Sequence, residues 1–363
     1  MRVIISAGGT GGHIYPAISI LNKIKEKEPS SEILYIGTTD RMESTIIPKL
    51  GIHYESIEME GLNRKNILRN IIVLKKYLQA SKKCENIIKE FKPDVVVGVG
   101  GYVTAPVIKK AHKLNIKTVI HEQNSIPGIT NKSLSKIADK ILISMPKSIK
   151  YFDEDKTVYT GNPRSEEVMS AKPVSKSSLG LSIYKELVVI VMGSLGSATI
   201  TEEEFKMLES FSDKKYEVLL ITGEKYFKEY ENRNIKTPEN VKVVPFLDNL
   251  ISVLKTATLI VSRAGASTIA EITAIGLPAI LVPSPYVTNN HQYKNALELA
   301  EKGACVILEE KDFNKEHLIP LIDKMLDNSG MLRDMSLKSK SLSLPDSAEK
   351  IYNEISKLVR TDN

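Results

Sequence analysis

Short runs of β-branched and aliphatic residues recur along the chain, separated by stretches whose apolar residues return at three- and four-residue intervals. In the first half, Arg2–Ser6, Ile33–Gly37, Val95–Val99, Thr118–His121 and Lys140–Ser144 predict strands, and Pro16–Glu28 and Ile67–Phe91 predict amphipathic helices. The scheme returns with strands at Leu187–Met192, Glu217–Ile221, Val241–Val244, Thr258–Ser262, Ala279–Val282 and Cys305–Leu308. Continuous apolar strands alternating with helices specify parallel sheets covered on both faces. Tyr159–Arg164 and the Ser/Lys-rich stretch from Ser170 to Ser178 read as a linker. The expected fold class is α/β, two doubly wound Rossmann-like domains with an interdomain cleft. They would span 1–162 and 163–340, with 341–363 a helix packing back on the first. Ligands of such sheets sit beyond the carboxyl ends of the strands.

Composition narrows the function classes. The chain of 363 residues suits two domains, and 42 % apolar with 26 % charged residues excludes wholesale disorder. No apolar run approaches the ~18 residues of a membrane span, and the first strand is too short for a signal-peptide core. Cys84 and Cys305 match no metal or redox spacing, so a reducing, cytoplasmic setting is expected. The absence of tryptophan disfavours base-stacking nucleic-acid modules. The net charge of +6 is uneven: residues 1–162 carry +9 and the remainder −3, so the first half is the one expected to face something anionic.

The candidate chemistry lies in loops after predicted strands. Ser6-Ala7-Gly8-Gly9-Thr10-Gly11-Gly12-His13 leads from the first strand into a helix. Glycines let the backbone approach a ligand, and the helix N-terminus offers N–H groups to anionic oxygens. The spacing fits neither a P-loop nor a dinucleotide fingerprint. A tight turn with His13 beside a helix cap is the plain alternative; a near-neutral imidazole next to a diphosphate loop is the sharper reading, a general base. Gly98-Val99-Gly100-Gly101-Tyr102 is a second glycine loop, and His121-Glu122-Gln123-Asn124, with Asn131 beyond, ends the next strand.

The second half has its own pair. Met192-Gly193-Ser194-Leu195-Gly196-Ser197 reads as a phosphate cradle, and Ser262-Arg263-Ala264-Gly265-Ala266-Ser267-Thr268 opens a helix carrying Glu271. A carboxylate there accepts two hydrogen bonds from a ribose diol while N-terminal amides hold phosphate; a solvated first-turn acid is the alternative. Asn289, Asn290, His291, Gln292 and Asn295 suit sugar hydroxyls or an ordinary polar loop.

Taken in order, these motifs resemble the MurG family of bacterial N-acetylglucosaminyltransferases over nearly the whole chain. They are Gly-Gly-Thr-Gly-Gly-His at 8–13, Gly-Gly-Tyr at 100–102, His-Glu-Gln-Asn at 121–124, Gly-Asn-Pro-Arg at 161–164, Ser-Arg-Ala-Gly-Ala at 262–266 with Glu271, and His-Gln at 291–292. The resemblance implies a GT-B fold and inverting transfer with no cofactor and no metal ion. N-acetylglucosamine would pass from UDP-N-acetylglucosamine to the 4-hydroxyl of the muramyl sugar of lipid I, giving lipid II for peptidoglycan synthesis. By matching position the donor would contact Thr10, Gly11, Gly12, Asn124, Arg164, Ser194, Leu247, Gln292 and the segment Ala266, Ser267, Thr268, Ile269, Ala270 and Glu271. The acceptor would meet Gly100, Gly101, Tyr102, His121 and Asn131, with His13 the first candidate base and Glu122 the second. Met192 stands where relatives more often carry glycine, and Leu195 where they are often polar. The competing readings are a related transferase acting on a diacylglycerol or sterol, a UDP-sugar 2-epimerase, and a non-catalytic nucleotide-sugar or membrane-surface binding module.

The family's lipid acceptor also implies a peripheral position on the cytoplasmic face of the membrane, with no nucleic-acid partner. Between 64 and 83 lie Arg64, Lys65, Arg69, Lys75, Lys76, Lys82 and Lys83 without an acidic residue. At ~100° per residue, Ile67, Ile71, Leu74 and Leu78 form one row and Lys65, Arg69, Lys76 and Lys83 the opposite row. An ordinary surface helix would turn the apolar row to the core. Ile72 and Val73 beside the basic row instead suit shallow insertion among anionic headgroups.

Overall fold

A computed structural model describes residues 1–61, 69–193 and 198–360. The chain divides into two compact units, Met1–Arg164 together with the segment from Asp346 onward, and Ser165–Pro345. Arg64, Lys65, Ile67 and Ser194 lie outside the described residues.

Among the described residues the first unit holds β1 (Arg2–Ala7), β2 (Glu32–Thr38), β3 (His53–Ile57), β4 (Val95–Gly100), β5 (Lys117–Glu122), β6 (Lys140–Ile143) and β7 (Thr157–Tyr159). They form one parallel sheet in the order β3-β2-β1-β4-β5-β6-β7. The helices between them are α1 (Gly11–Lys27), α2 (Glu43–Lys49), α3 (Arg69–Phe91), α4 (Thr104–Lys113) and α5 (Ile129–Leu134). Side chains alternate across a strand, and β1 shows the result. Val3, Ile5 and Ala7 pack with Ile14, Ala17 and Ile24 of α1 on one face, and Ile4 with Val107, Ile108 and Cys84 on the other.

The second unit repeats the plan with β8 (Leu187–Val191), β9 (Glu217–Ile221), β10 (Val241–Val244), β11 (Leu259–Ser262), β12 (Ala279–Leu281) and β13 (Val306–Ile307), parallel in the order β10-β9-β8-β11-β12-β13. Its helices are α6 (Arg164–Ser170), which starts at the boundary, α7 (Ala198–Met207), α8 (Glu224–Asn232), α9 (Leu250–Leu254), α10 (Ala266–Ile275), α11 (His291–Ala300), α12 (Lys315–Leu326) and α13 (Ser329–Ser341). The last helix, α14 (Ser347–Arg360), lies on the first unit. Ile351, Tyr352 and Ile355 enter the core beside α1, and Tyr352 donates to Glu28 Oε1 at 2.9 Å.

The helix at 69–91 departs from the expected facing. Val73 is buried, together with Ala80, Cys84 and Ile88, so the inner stripe lies on the side away from Ile71, Leu74 and Leu78. Val73 therefore has no surface to insert into lipid. The apolar row Ile71, Leu74 and Leu78 is exposed at 68 %, 58 % and 61 %. Lys76 and Lys83 turn toward the β3 edge, where Lys76 pairs with Glu58 at 2.8 Å and Lys83 donates to the Ser56 carbonyl.

Candidate functional site

In each sheet the chain leaves in opposite directions from one pair of neighbouring strands, β1 and β4 in the first, β8 and β11 in the second. Such a switch point opens a crevice beyond the carboxyl ends of the strands. The glycine loops at 8–12, 100–101 and 263–265, and Gly193, follow these four strands.

In the first unit the two loops interlock. Gly8 N–H donates to the Gly100 carbonyl at 3.2 Å. Gly101, at φ +86°, lies so close that a Cβ there would be 2.4 Å from the Gly8 carbonyl oxygen. The His13 ring fills the space over Gly100, where a Cβ would be 2.5 Å from its Cδ2. His13 Nδ1 lies 3.2 Å from the Gly8 carbonyl oxygen. A carbonyl only accepts, so a hydrogen bond here requires the proton on Nδ1, which in a neutral ring leaves Nε2 as the basic nitrogen. Thr10 caps α1 in an extended conformation, and Gly11 and Gly12 form the helix's first positions.

The His-Glu-Gln-Asn segment is built inward. Glu122 is buried, and its Oε1 accepts from the Asn124 backbone and side chain at 2.9 and 3.1 Å. Its Oε2 accepts from Gly128 N and Asn131 Nδ2 at 3.1 and 3.0 Å. Both oxygens are committed to shaping the loop, so the second candidate base is reassigned to holding Asn124 and Asn131. His121 is fully buried: Gln123 donates to its Nδ1 at 2.9 Å, and its Nε2 faces the Gly161 carbonyl at 3.2 Å. Burial, with His13 nearby, lowers its pKa to about 4 against the bond to Gly161, so it is neutral at physiological pH. Neither His121 nor Asn131 presents surface to an acceptor. Tyr102 is partly open and is bonded to Arg41. Arg164 lies over the Tyr15 ring, 5.5 Å from its centroid, which brings it to the turn of α1 that follows His13.

In the second unit Gly265 caps α10, and the helix runs on through Ala266, Ser267, Thr268, Ile269, Ala270 and Glu271. Ser267 Oγ is buried with no hydrogen-bond partner among the described residues, an orphan acceptor and donor at a helix N-terminus. Glu271 is 8 % exposed, not a solvated first-turn acid. Gln292 Oε1 accepts from Ser284 N at 2.9 Å, tying α11 to the end of β12. Leu247 is half-buried in the loop between β10 and α9.

Several residues gain a supporting role that their motifs or surroundings in the sequence do not show. Gln123 donates to the Val99 carbonyl at 2.8 Å and joins the ends of β4 and β5. Glu43, in Asp40-Arg41-Met42-Glu43, looks like any acid at a helix start, yet it is fully buried beneath the first glycine loop. Arg263 and Glu310 form a buried ion pair with Glu204 buried near the guanidinium, and the three lie far apart in sequence. Only the fold brings them together.

Comparison with known proteins agrees with this geometry. Residues 3–143 match the glycosyltransferase family 28 N-terminal domain, and 187–351 its C-terminal domain. The chain is 46 % identical over 363 residues, 99 % of its own length and all of the relative's, to a Bacillus cereus protein. That relative is named UDP-N-acetylglucosamine--N-acetylmuramyl-(pentapeptide) pyrophosphoryl-undecaprenol N-acetylglucosamine transferase 1. This chain is also similar to the crystal structure of Acinetobacter baumannii MurG, with TM-score 0.78 and 26 % identity over 98 % of this chain and 99 % of that one. A Neisseria meningitidis UDP-GlcNAc 2-epimerase bound to UDP-GlcNAc shares the fold, with TM-score 0.68 and 12 % identity over 98 % of this chain and 100 % of that one.

Proposed function

This chain belongs to the MurG family within glycosyltransferase family 28, and we propose that it transfers N-acetylglucosamine from UDP-N-acetylglucosamine to the 4-hydroxyl of the lipid-linked muramyl pentapeptide, with inversion and without a metal ion. The observation that carries the reading is the His13 ring clamped between two interlocked glycine loops, with Nδ1 3.2 Å from the Gly8 carbonyl oxygen. His13 Nε2 takes the acceptor hydroxyl proton as the new bond to the anomeric carbon forms and the bond to the UDP oxygen breaks. The N-terminal amides of α10, with Ser267, face the charge that develops on the departing diphosphate. Glu271 accepts from the uridine ribose, and Leu247, Gln292, Asn124 and Arg164 complete the donor contacts. Gly100, Gly101 and Tyr102 shape the acceptor side.

The acceptor is held in a bilayer, and the exposed row Ile71, Leu74 and Leu78 with Lys75 and Lys82 supports peripheral docking on an anionic, cytoplasmic membrane face. Among the described residues no helix is long and apolar enough to cross a membrane. The test is transfer of labelled N-acetylglucosamine from UDP to a synthetic lipid I analogue, with and without chelator. Equal product in both supports the reading. No product in either, with the donor epimerised or hydrolysed instead, would move the chain to the 2-epimerase reading.

A further inference from the structure

Glu43 is the first residue of α2 and has no exposed surface. Two glycines make the slot that holds it. A Cβ at Gly8 would lie 2.4 Å from Glu43 Oε1, and one at Gly37 2.7 Å from its Cγ. Oε1 accepts from the Thr38 N–H at 3.1 Å and the Thr38 hydroxyl at 2.7 Å, and Oε2 accepts from Gly9 N–H at 3.2 Å.

The last bond is the informative one. Gly9 N–H and the Gly8 carbonyl belong to the same peptide unit, and in a trans peptide the two point in opposite directions. One end of that unit faces Glu43 and the other faces His13 Nδ1. We infer that Glu43 is a positioning residue that sets the tautomer and basicity of His13 through the Gly8–Gly9 peptide. The carboxylate polarises the amide, the carbonyl becomes a stronger acceptor, and the proton is held on Nδ1. An acid placed behind a catalytic imidazole ordinarily bonds it directly. Here one peptide group stands between them.

Tyr35, Tyr54 and Arg41 are titratable groups that feel Glu43. Burial first, and the Glu43 charge second, raise the Tyr35 and Tyr54 pKa values, so both phenols stay neutral. Arg41 is bonded to Tyr102 and also feels Asp40 and Glu43. His121 also feels His13 and is itself neutral above about pH 4. Each of these Glu43 hydrogen bonds brings a donor to a carboxyl oxygen, and one of those donors is the Gly9 N–H.

The inference rests on His13 being the base, but its first test does not. Long-range proton–nitrogen NMR of ring-labelled protein reports the tautomer of each of the six histidines, with His13 assigned by its loss in His13→Ala. His13 is expected in the Nδ1–H form, against the usual preference of a free imidazole. In Glu43→Gln an amide donor meets Gly9 N–H, so the tautomer should relax toward Nε2–H. The acid limb of the kcat profile should move to lower pH by about half a unit to one unit, because an anion favours imidazolium. With His13 as base, kcat falls about 10- to 100-fold while KM for UDP-N-acetylglucosamine stays within about threefold. An Nε2–H tautomer in the wild type overturns the inference. So does a folded Glu43→Gln protein with unchanged tautomer, acid limb and kcat. If that variant does not fold, the wild-type tautomer decides alone. An Nδ1–H His13 that responds to Glu43→Gln in a protein transferring no sugar would sink the transferase reading and leave the relay standing.

Discussion

Arg263 Nη1 lies 2.6 Å from Glu310 Oε2, with the two side chains only 11 % and 8 % exposed. The same Nη1 donates to the Val282 carbonyl at 3.1 Å. One guanidinium thus ties the loop after β11 to the end of β12 and to the turn after β13. That loop leads directly into α10, so the pair sets the floor of the proposed nucleotide site. Removing one partner of a buried pair leaves an uncompensated charge, which typically costs about 3–5 kcal/mol. Arg263→Met is expected to destabilise the second unit by that order in urea unfolding. Double replacement with Glu310→Gln should recover part of the loss. A double variant no more stable than Arg263→Met would show that the guanidinium matters through Val282 alone.

Glu204 of α7 is buried near Arg263, and its Oε1 has no hydrogen-bond partner among the described residues. Burial pushes its pKa from 4.5 to about 8, with Arg263 acting in the opposite direction. The native state therefore keeps a proton that the unfolded chain releases between about pH 4.5 and 8. Stability should fall as pH rises through that window and level off above it, by up to roughly 1 kcal/mol per pH unit. Glu204→Gln removes this contribution, so its advantage over wild type should be larger at pH 8 than at pH 5. Parallel stability curves for the two proteins would mean that Arg263 keeps Glu204 ionised throughout.

Much of this architecture is legible along the chain, because strands buried on both faces are written as continuous apolar runs. Glu217–Ile221 and Val241–Val244 occur as predicted, and β1, β4 and β8 differ only at an end. The edge strands β3 and β7 were not predicted. His53–Ile57 is only half-buried and mixes polar with apolar residues, and Thr157–Tyr159 is three residues long. The glycine loops were visible because their spacing is local. Their supports Glu43 and Glu310 were not, since these gain meaning only from what the sheet order sets beside them. In α3 the ~100° periodicity separates an apolar from a basic row but does not say which face the sheet takes. The sheet takes the face with Ala80, Cys84 and Ile88 and leaves Ile71, Leu74 and Leu78 exposed.

Gly101 and Gly9 separate crowding from backbone strain. Both have positive φ, +86° and +92°, but a Cβ at Gly9 would meet nothing within 4 Å, whereas one at Gly101 would meet a backbone oxygen. Gly9→Ala should cost about 1–2 kcal/mol of first-unit stability, the strain alone. Gly101→Ala must also push the two loops apart. Its lipid I transfer should drop at least about 100-fold, the scale of a lost general base, with UDP binding retained. Equal effects of the two substitutions would refute the interlocked arrangement.

Glu271 lies five positions beyond Ala266, the first residue of α10, and its burial means that replacement acts on a site rather than on solvent. Glu271→Gln keeps the shape and loses the charge-assisted acceptor. UDP-N-acetylglucosamine binding, followed by calorimetry, should weaken by about 1.5–3 kcal/mol. Unchanged affinity would assign the ribose to another residue.

Membrane docking has a sharper test now that the faces of α3 are placed. At ~100° per residue, Ile71, Leu74, Lys75, Leu78 and Lys82 fall within a stripe about 100° wide. Lys76 and Lys83 lie beyond it, engaged by Glu58, Glu60, Glu55 and the Ser56 carbonyl. Cations already paired with carboxylates add little attraction to an anionic surface, whereas open ones contribute roughly 1 kcal/mol each. Each apolar side chain on the stripe adds its own transfer term on entering the headgroup region, about 1.5–3 kcal/mol if fully buried. Replacing Ile71, Leu74 and Leu78 by serine should therefore abolish co-sedimentation with anionic vesicles and leave transfer to a short-chain soluble acceptor intact. Lys75→Glu with Lys82→Glu should weaken vesicle binding and reduce its salt dependence, while Lys76→Glu should change it far less. If Lys76→Glu is the more damaging substitution, the β3 side of the helix meets the membrane and the stripe does not.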